Sequence, residues 1–150
     1  MQDAYQATVG WSGSGTTGAV GSGMLDPAVT ALAKGQNFAA FTTLMPGGQP
    51  QTHVMWVDCD ETHVLINTEA HRQKARNVAA DNRVTVCLIE TGSFYNFVEV
   101  RGHVEEVVRG PEARAHIDAL SMKYMGQPYG REVESERVIL RIAPDRTVTR

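Results

Sequence analysis

Three cations stand within five residues in the stretch AHRQKARNVAADNRV: Arg72, Lys74 and Arg76. They follow Asn67 and Thr68, which end a β-prone run, and they lead into residues at helical spacing. Backbone N–H groups at a helix start, a threonine hydroxyl and two or three cations together make an anion site suited to phosphate. The same residues also read as the solvated face of a short helix. Spacing alone leaves both readings open. Lys74 is expected at the surface.

Other candidate chemistry is sparse. His53, His63, His71, His103 and His116 show no HxxxH, HxH or Cys-plus-His spacing, so no metal site is expected. Cys59 falls in a turn, and Cys87 falls in an apolar strand and reads as core. There is no GxSxG, and GSGTTGAVGSG does not lie between a strand and a helix, so neither a nucleophile elbow nor a dinucleotide loop is present. Glu105 and Glu106 are adjacent on a strand, which sends them to opposite faces as a solvated edge. The run FYNF reads as core with one ring free to cover a flat ligand. No residue stands out as a catalytic acid or base.

The elements that must position the cations follow from pattern. LDPAVTALAKG predicts a helix with Asp26 as N-cap, Pro27 at its first position, Gly35 at its exit and Leu25, Val29 and Leu32 inward. NFAAFTTLM, QTHVMWVDCD and HVLINT read as strands joined by the turns PGGQP and DCDET. HRQKARNVAADNR breaks the alternation and reads as a helix with Ala75, Val78 and Ala79 on one face. VTVCLIE is a strand, TGSFYN turns, and FVEVRGHVEEVV returns with a bulge or bend at Gly102. PEARAHIDALSMKYMG is a helix with Ile117, Leu120 and Tyr124 on one face, and RVILRIAPDRTVTR is the last strand. This is a mainly β chain of about six strands with short flanking helices, for which a closed or split antiparallel barrel fits best.

The 150 residues fit one core-forming domain over 24–150, preceded by a Gly/Ser-rich tail over 1–23. A net charge of −3 argues against a generic nucleic-acid surface. No apolar run approaches the roughly 20 residues of a membrane span. The start of the chain has neither the charged nor the apolar region of a secretory signal, and two cysteines form no disulfide framework, so a cytoplasmic protein is expected.

The segments GGQPQTHVMWVDCD, INTEAHRQKARNVAADNRVTV, VEVRGHVEEV and RVILRIAPDR resemble the flavin/deazaflavin split-barrel superfamily, the relatives of pyridoxamine 5′-phosphate oxidase. The resemblance implies the six-stranded antiparallel split barrel. The second segment is the most specific, and it looks most like the branch that binds coenzyme F420, the actinobacterial deazaflavin. The resemblance implies that Lys74 and Arg72 hold the cofactor phosphate, with Thr68 and Asn67 as hydrogen-bonding neighbours. It implies that Gln51, Thr52 and Val54 line the ring pocket. Tyr95 falls where the family often has a large aromatic near the ring, donated across the interface of a homodimer. The implied activity is hydride transfer from reduced F420 to a flat, conjugated small-molecule acceptor. FMN serves the same phosphate site in an alternative of the pyridoxamine phosphate oxidase type. A non-catalytic flavin- or haem-binding barrel is the third reading.

The composition of residues 1–23 cannot bury enough apolar surface to fold alone. Deleting them is expected to leave the melting temperature, self-association and cofactor affinity unchanged. A fall in affinity or turnover at constant melting temperature would instead assign Tyr5 and Trp11 to the site.

Overall fold

The computed structural model describes residues 23–149; the tail over 1–22, with Tyr5 and Trp11, lies outside the described residues. Helix α1, Pro27–Lys34, begins where the Asp26 carboxylate accepts the Ala28 N–H at 2.8 Å. Gly35 ends it, and Val29, Leu32 and Ala33 are buried, as the capping pattern predicts. Strands β1, Phe38–Leu44, and β2, Pro50–Trp56, form a hairpin. Its turn needs glycine, because Gly47 and Gly48 adopt φ of 89° and 93°, the left-handed region.

The segment expected as one strand after this turn is two. Strand β2 ends at Trp56, and a separate short strand β3, Asp58–Cys59, begins after Val57. Strand β2 pairs with β1, while β3 pairs with β4, Val64–Glu69. Cys59 is therefore a buried strand residue, not a turn residue. Helix α2, Gln73–Ala80, strand β5, Arg83–Glu90, strand β6, Ser93–Val108, helix α3, Pro111–Met125, and strand β7, Arg137–Thr149, complete the fold. Strand β6 starts at Ser93, so Phe94–Asn96 extend the strand and the turn shrinks to Thr91–Gly92.

Every pairing is antiparallel, in the order β2-β1-β5-β6-β7-β4-β3. The two edge strands, β2 and β3, are consecutive in the chain across Val57, so the seven-stranded sheet curls until its edges meet. Counted as one strand broken at Val57, β2 and β3 give the expected six, and the fold is the split barrel. Alternate residues point inward: Ala39, Phe41 and Thr43 on β1, Val84, Val86 and Leu88 on β5 are all buried. No helix among the described residues is long and apolar enough to cross a membrane.

Two bulges shape β6. The register with β7 shifts between Arg101 and Gly102 and again between Val104 and Glu106. Glu105 and Glu106 are exposed, as a solvated edge would be, but the second shift changes their expected facing. They do not diverge, because the bulge lets both join one network: Glu105 bonds His63, and Glu106 pairs with Arg141 at 3.1 Å, which also meets His63.

Gly102 sits where the backbones of β6 and β7 touch. A Cβ there would lie 2.2 Å from the Ala143 carbonyl oxygen. Gly102→Ala is therefore expected to destabilise the protein by about 1–3 kcal/mol, the usual cost of overpacking. Urea denaturation measures it, and an unchanged midpoint would show that β7 gives way.

Candidate functional site

Helix α2 closes one end of the barrel. Arg72 occupies its N-cap with extended geometry, and no side chain caps the first turn. Val78 joins the barrel core, and Lys74 lies one turn before it on the same face. That geometry corrects two expectations. The inward face is Lys74, Asn77 and Val78, with Ala79 exposed. Lys74 is also not at the surface but only 8% exposed.

Among the described residues the Lys74 ammonium has no hydrogen-bond or ion-pair partner. Burial, and then the nearby Arg72 guanidinium, push its pKa below the ordinary lysine value. A buried cation under these conditions favours an anion. Asn77 fixes the helix beside it. Its amide nitrogen donates to Thr43 Oγ1 at 2.9 Å and to Gln51 Oε1 at 3.4 Å, and its oxygen accepts from Gln73 Nε2 at 2.7 Å. Gln51 thus joins this corner from β2.

Thr68 and Asn67 are successive residues of β4 and project to opposite faces. Thr68 shares the inward face of Val64 and Ile66, which belong to the same core as Val78. Asn67 faces α3. Its amide nitrogen donates to the Ala113 carbonyl at 3.0 Å and to His116 Nδ1 at 3.1 Å. Thr52 faces outward from β2, with its hydroxyl 2.7 Å from that of Thr42. Val54 is 72% exposed. Tyr95, 88% exposed, stands near the β5–β6 turn. The register of β1 puts that turn at the Phe38 end and α2 at the Leu44 end, about 20 Å apart at strand rise. Within one chain, Tyr95 does not meet the basic cluster.

A cleft of about 530 Å³ opens between β2, β4, α3 and the loop 127–131. Val54, Trp56, Ile117, Leu120 and Met125 supply its apolar walls, and Asn67, Ser121, Arg131 and Arg137 its polar ones. Trp56 stacks on Tyr124, with centroids 5.2 Å apart and planes 5° from parallel. Tyr129 meets it edge-on at 86°. The Arg137 guanidinium lies 4.6 Å from the Tyr129 ring centroid.

The floor of the cleft is a polar chain that sequence reading missed. Because the Asn67 amide donates to His116 Nδ1, that nitrogen accepts and the imidazole proton sits on Nε2, 3.3 Å from Asp58 Oδ2. Burial pushes the Asp58 carboxyl up, but hydrogen bonds from His116 and Lys34 outweigh it and hold the group well below the usual carboxylate range. On its other side Asn67 Oδ1 accepts from Arg137 at 3.4 Å. Arg137 in turn pairs with Glu69 at 3.5 Å. Burial raises the Glu69 pKa, but the Ser135 N–H, Arg137 and the Glu134 N–H outweigh it and lower the pKa overall. His116 and Asp58 carry no local sequence signal, because 58 positions separate them.

The family model of pyridoxamine 5′-phosphate oxidase matches residues 25–150. No curated protein matches the chain. Among solved structures, an F420 reductase shares 28% identity and superposes with a TM-score of 0.70, over 78% of this chain and 93% of the other. The conserved hypothetical protein Rv2991 of Mycobacterium tuberculosis shares 25% identity at a TM-score of 0.63, over 85% and 86%. General Stress Protein 26 of Bacillus anthracis, at 17% identity and a TM-score of 0.62 over 80% and 88%, shares the fold. With the family model covering the whole barrel, and that barrel closed as described, the chain belongs to the pyridoxamine 5′-phosphate oxidase family of flavin-binding split barrels.

Proposed function

We propose that the protein is an oxidoreductase whose flavin or deazaflavin cofactor is anchored by its tail phosphate at the α2 corner. The observation that carries this reading is Lys74, a largely buried side chain whose ammonium has no counter-ion among the described residues. Arg72 and the uncapped first turn of α2 add positive potential at the same place. The donor set therefore suits a phosphate. Lys74 and Arg72 would hold it, with Thr68 of β4 as the hydrogen-bonding neighbour that the resemblance implies, while Gln51, Thr52 and Val54 offer β2 to the ring. Such a cofactor, when bound, supplies hydride or electron transfer, and the protein's part is to bind, orient and exclude water. The cleft lining contains no histidine or carboxylate among the described residues, so no side chain is assigned as an acid.

Two cofactors share this phosphate chemistry. The match of the family model over 25–150 supports FMN, in an enzyme of the pyridoxamine phosphate oxidase type. The 28% identity to an F420 reductase supports coenzyme F420 and a flat, conjugated acceptor. Titration of the purified protein with each cofactor, followed by absorbance and fluorescence, separates them. Saturable binding of neither would sink the reading.

A homodimer is part of the proposal. Val54 and, at the β5–β6 turn, Phe94 at 82% exposure and Tyr95 leave large apolar groups in solvent. A two-fold partner would cover them and bring a second Tyr95 toward the ring pocket. Sedimentation is expected to give a dimer; a monomer that still binds cofactor would contradict the arrangement.

Lys74→Met separates binding from folding. Losing a charge-assisted bond to phosphate is expected to weaken cofactor binding by about 1.5–3 kcal/mol. Removing a partly desolvated cation that has no counter-ion among the described residues is expected to stabilise the cofactor-free protein by about 0.5–2 kcal/mol. The gain is full below the depressed folded pKa, where the lysine is charged both folded and unfolded. It shrinks as pH rises through the depressed folded pKa toward the ordinary value of 10.5. Unchanged affinity in isothermal titration would show that Lys74 does not hold the cofactor phosphate.

A further inference from the structure

The cleft between β2, β4 and α3 is distinct in chemistry from the corner that holds Lys74. We propose that it binds a planar, largely apolar molecule bearing one anionic group, and that this molecule is the electron acceptor. The identity of the bound molecule as acceptor rests on the oxidoreductase reading; its binding here rests on the cleft alone.

Shape comes first. Trp56 is held rigid by its stack on Tyr124 and by the perpendicular Tyr129 ring. The loop carrying Tyr129 is tied to α3, since the Tyr129 N–H donates to Asp118 Oδ1 at 3.1 Å. Rigid aromatic walls select flat ligands at small entropic cost. A volume of about 530 Å³ lies in the range of small-molecule sites.

Charge comes second. The chain carries 17 carboxylate side chains against 14 cations, yet the cleft lining includes two arginines and no Asp or Glu. Glu69, behind the lining, neutralises Arg137. Arg131 is exposed and has no ion-pair partner among the described residues. The cleft is thus left with one uncompensated positive charge at its mouth. Arg137 Nε is buried with no hydrogen-bond partner, although its guanidinium is held by Asn67, Glu69 and Tyr129. The orphaned nitrogen leaves that buried charge incompletely satisfied, which again favours an anion close by.

The test uses the full chain with Trp11→Phe, which leaves Trp56 as its only tryptophan. Anilinonaphthalene sulfonate and its uncharged counterpart phenylnaphthylamine are titrated against Trp56 fluorescence. The sulfonate is expected to quench Trp56 and to bind about tenfold more tightly than the neutral dye, the size of one charge-assisted contact. Arg131→Glu, at an exposed position, is expected to erase that preference and leave the neutral dye within about twofold. Equal affinities for the two dyes, binding without quenching of Trp56, or an Arg131→Glu variant that keeps the preference would each overturn the proposal. The dyes carry no redox chemistry. Charge discrimination in a protein that binds neither FMN nor F420 would therefore support the cleft while sinking the oxidoreductase reading.

Discussion

Everything in this fold hangs on the crossing at Val57. On either side of this one fully buried residue, the chain pairs first with one edge of the sheet and then with the other. The crossing is pinned from α3. The Val57 N–H donates to the Tyr124 hydroxyl at 3.2 Å, and that hydroxyl donates to the Asn37 carbonyl. Lys123 Nζ donates to the carbonyls of Val57, at 2.5 Å, and Ala33, at 2.7 Å. Because the edges meet here, β2 runs beside β4. Gln51 then reaches α2 at one end, and Val54 and Trp56 face Asn67 at the other. An open sheet with the same strands would make neither the corner nor the cleft.

The distribution of buried charge separates structure from function. Among the described residues three charged ones are buried: Glu69, Lys74 and Arg137. Glu69 and Arg137 neutralise each other, and Glu69 accepts two backbone N–H bonds besides. That arrangement is what a stable interior requires. Lys74 breaks the rule, and it does so at the uncapped start of a helix with a second cation nearby. Arg137 Nε also lacks a hydrogen bond, but its guanidinium has Glu69 as a counter-ion. Lys74 has no anion among the described residues, and the phosphate reading rests on that difference.

Local pattern made most of the architecture legible. The Asp26–Pro27–Gly35 punctuation located α1, alternation located the strands, and Gly102 marked its bulge. The break at Val57 was not legible, since a valine among β-formers carries no turn signal. The burial of Lys74 was hidden for a related reason. Ala75 and Ala79 flank the true face and are apolar, so periodicity favoured the wrong stripe. The cations themselves were visible as a cluster in KARN and its neighbours. The cleft was not, because Trp56, Asn67, Tyr129 and Arg137 come together only through sheet closure and the docking of α3.

The phosphate reading rests on Lys74, whose side chain is largely buried and whose ammonium has no counter-ion among the described residues. The chain has three lysines, Lys34, Lys74 and Lys123, so isotope-labelled lysine side chains can be followed singly by NMR across a pH titration. In the cofactor-free protein Lys74 should titrate below the ordinary 10.5, and saturating FMN or F420 should raise its pKa as the anion stabilises the charge. An ordinary titration that neither cofactor moves would contradict the account.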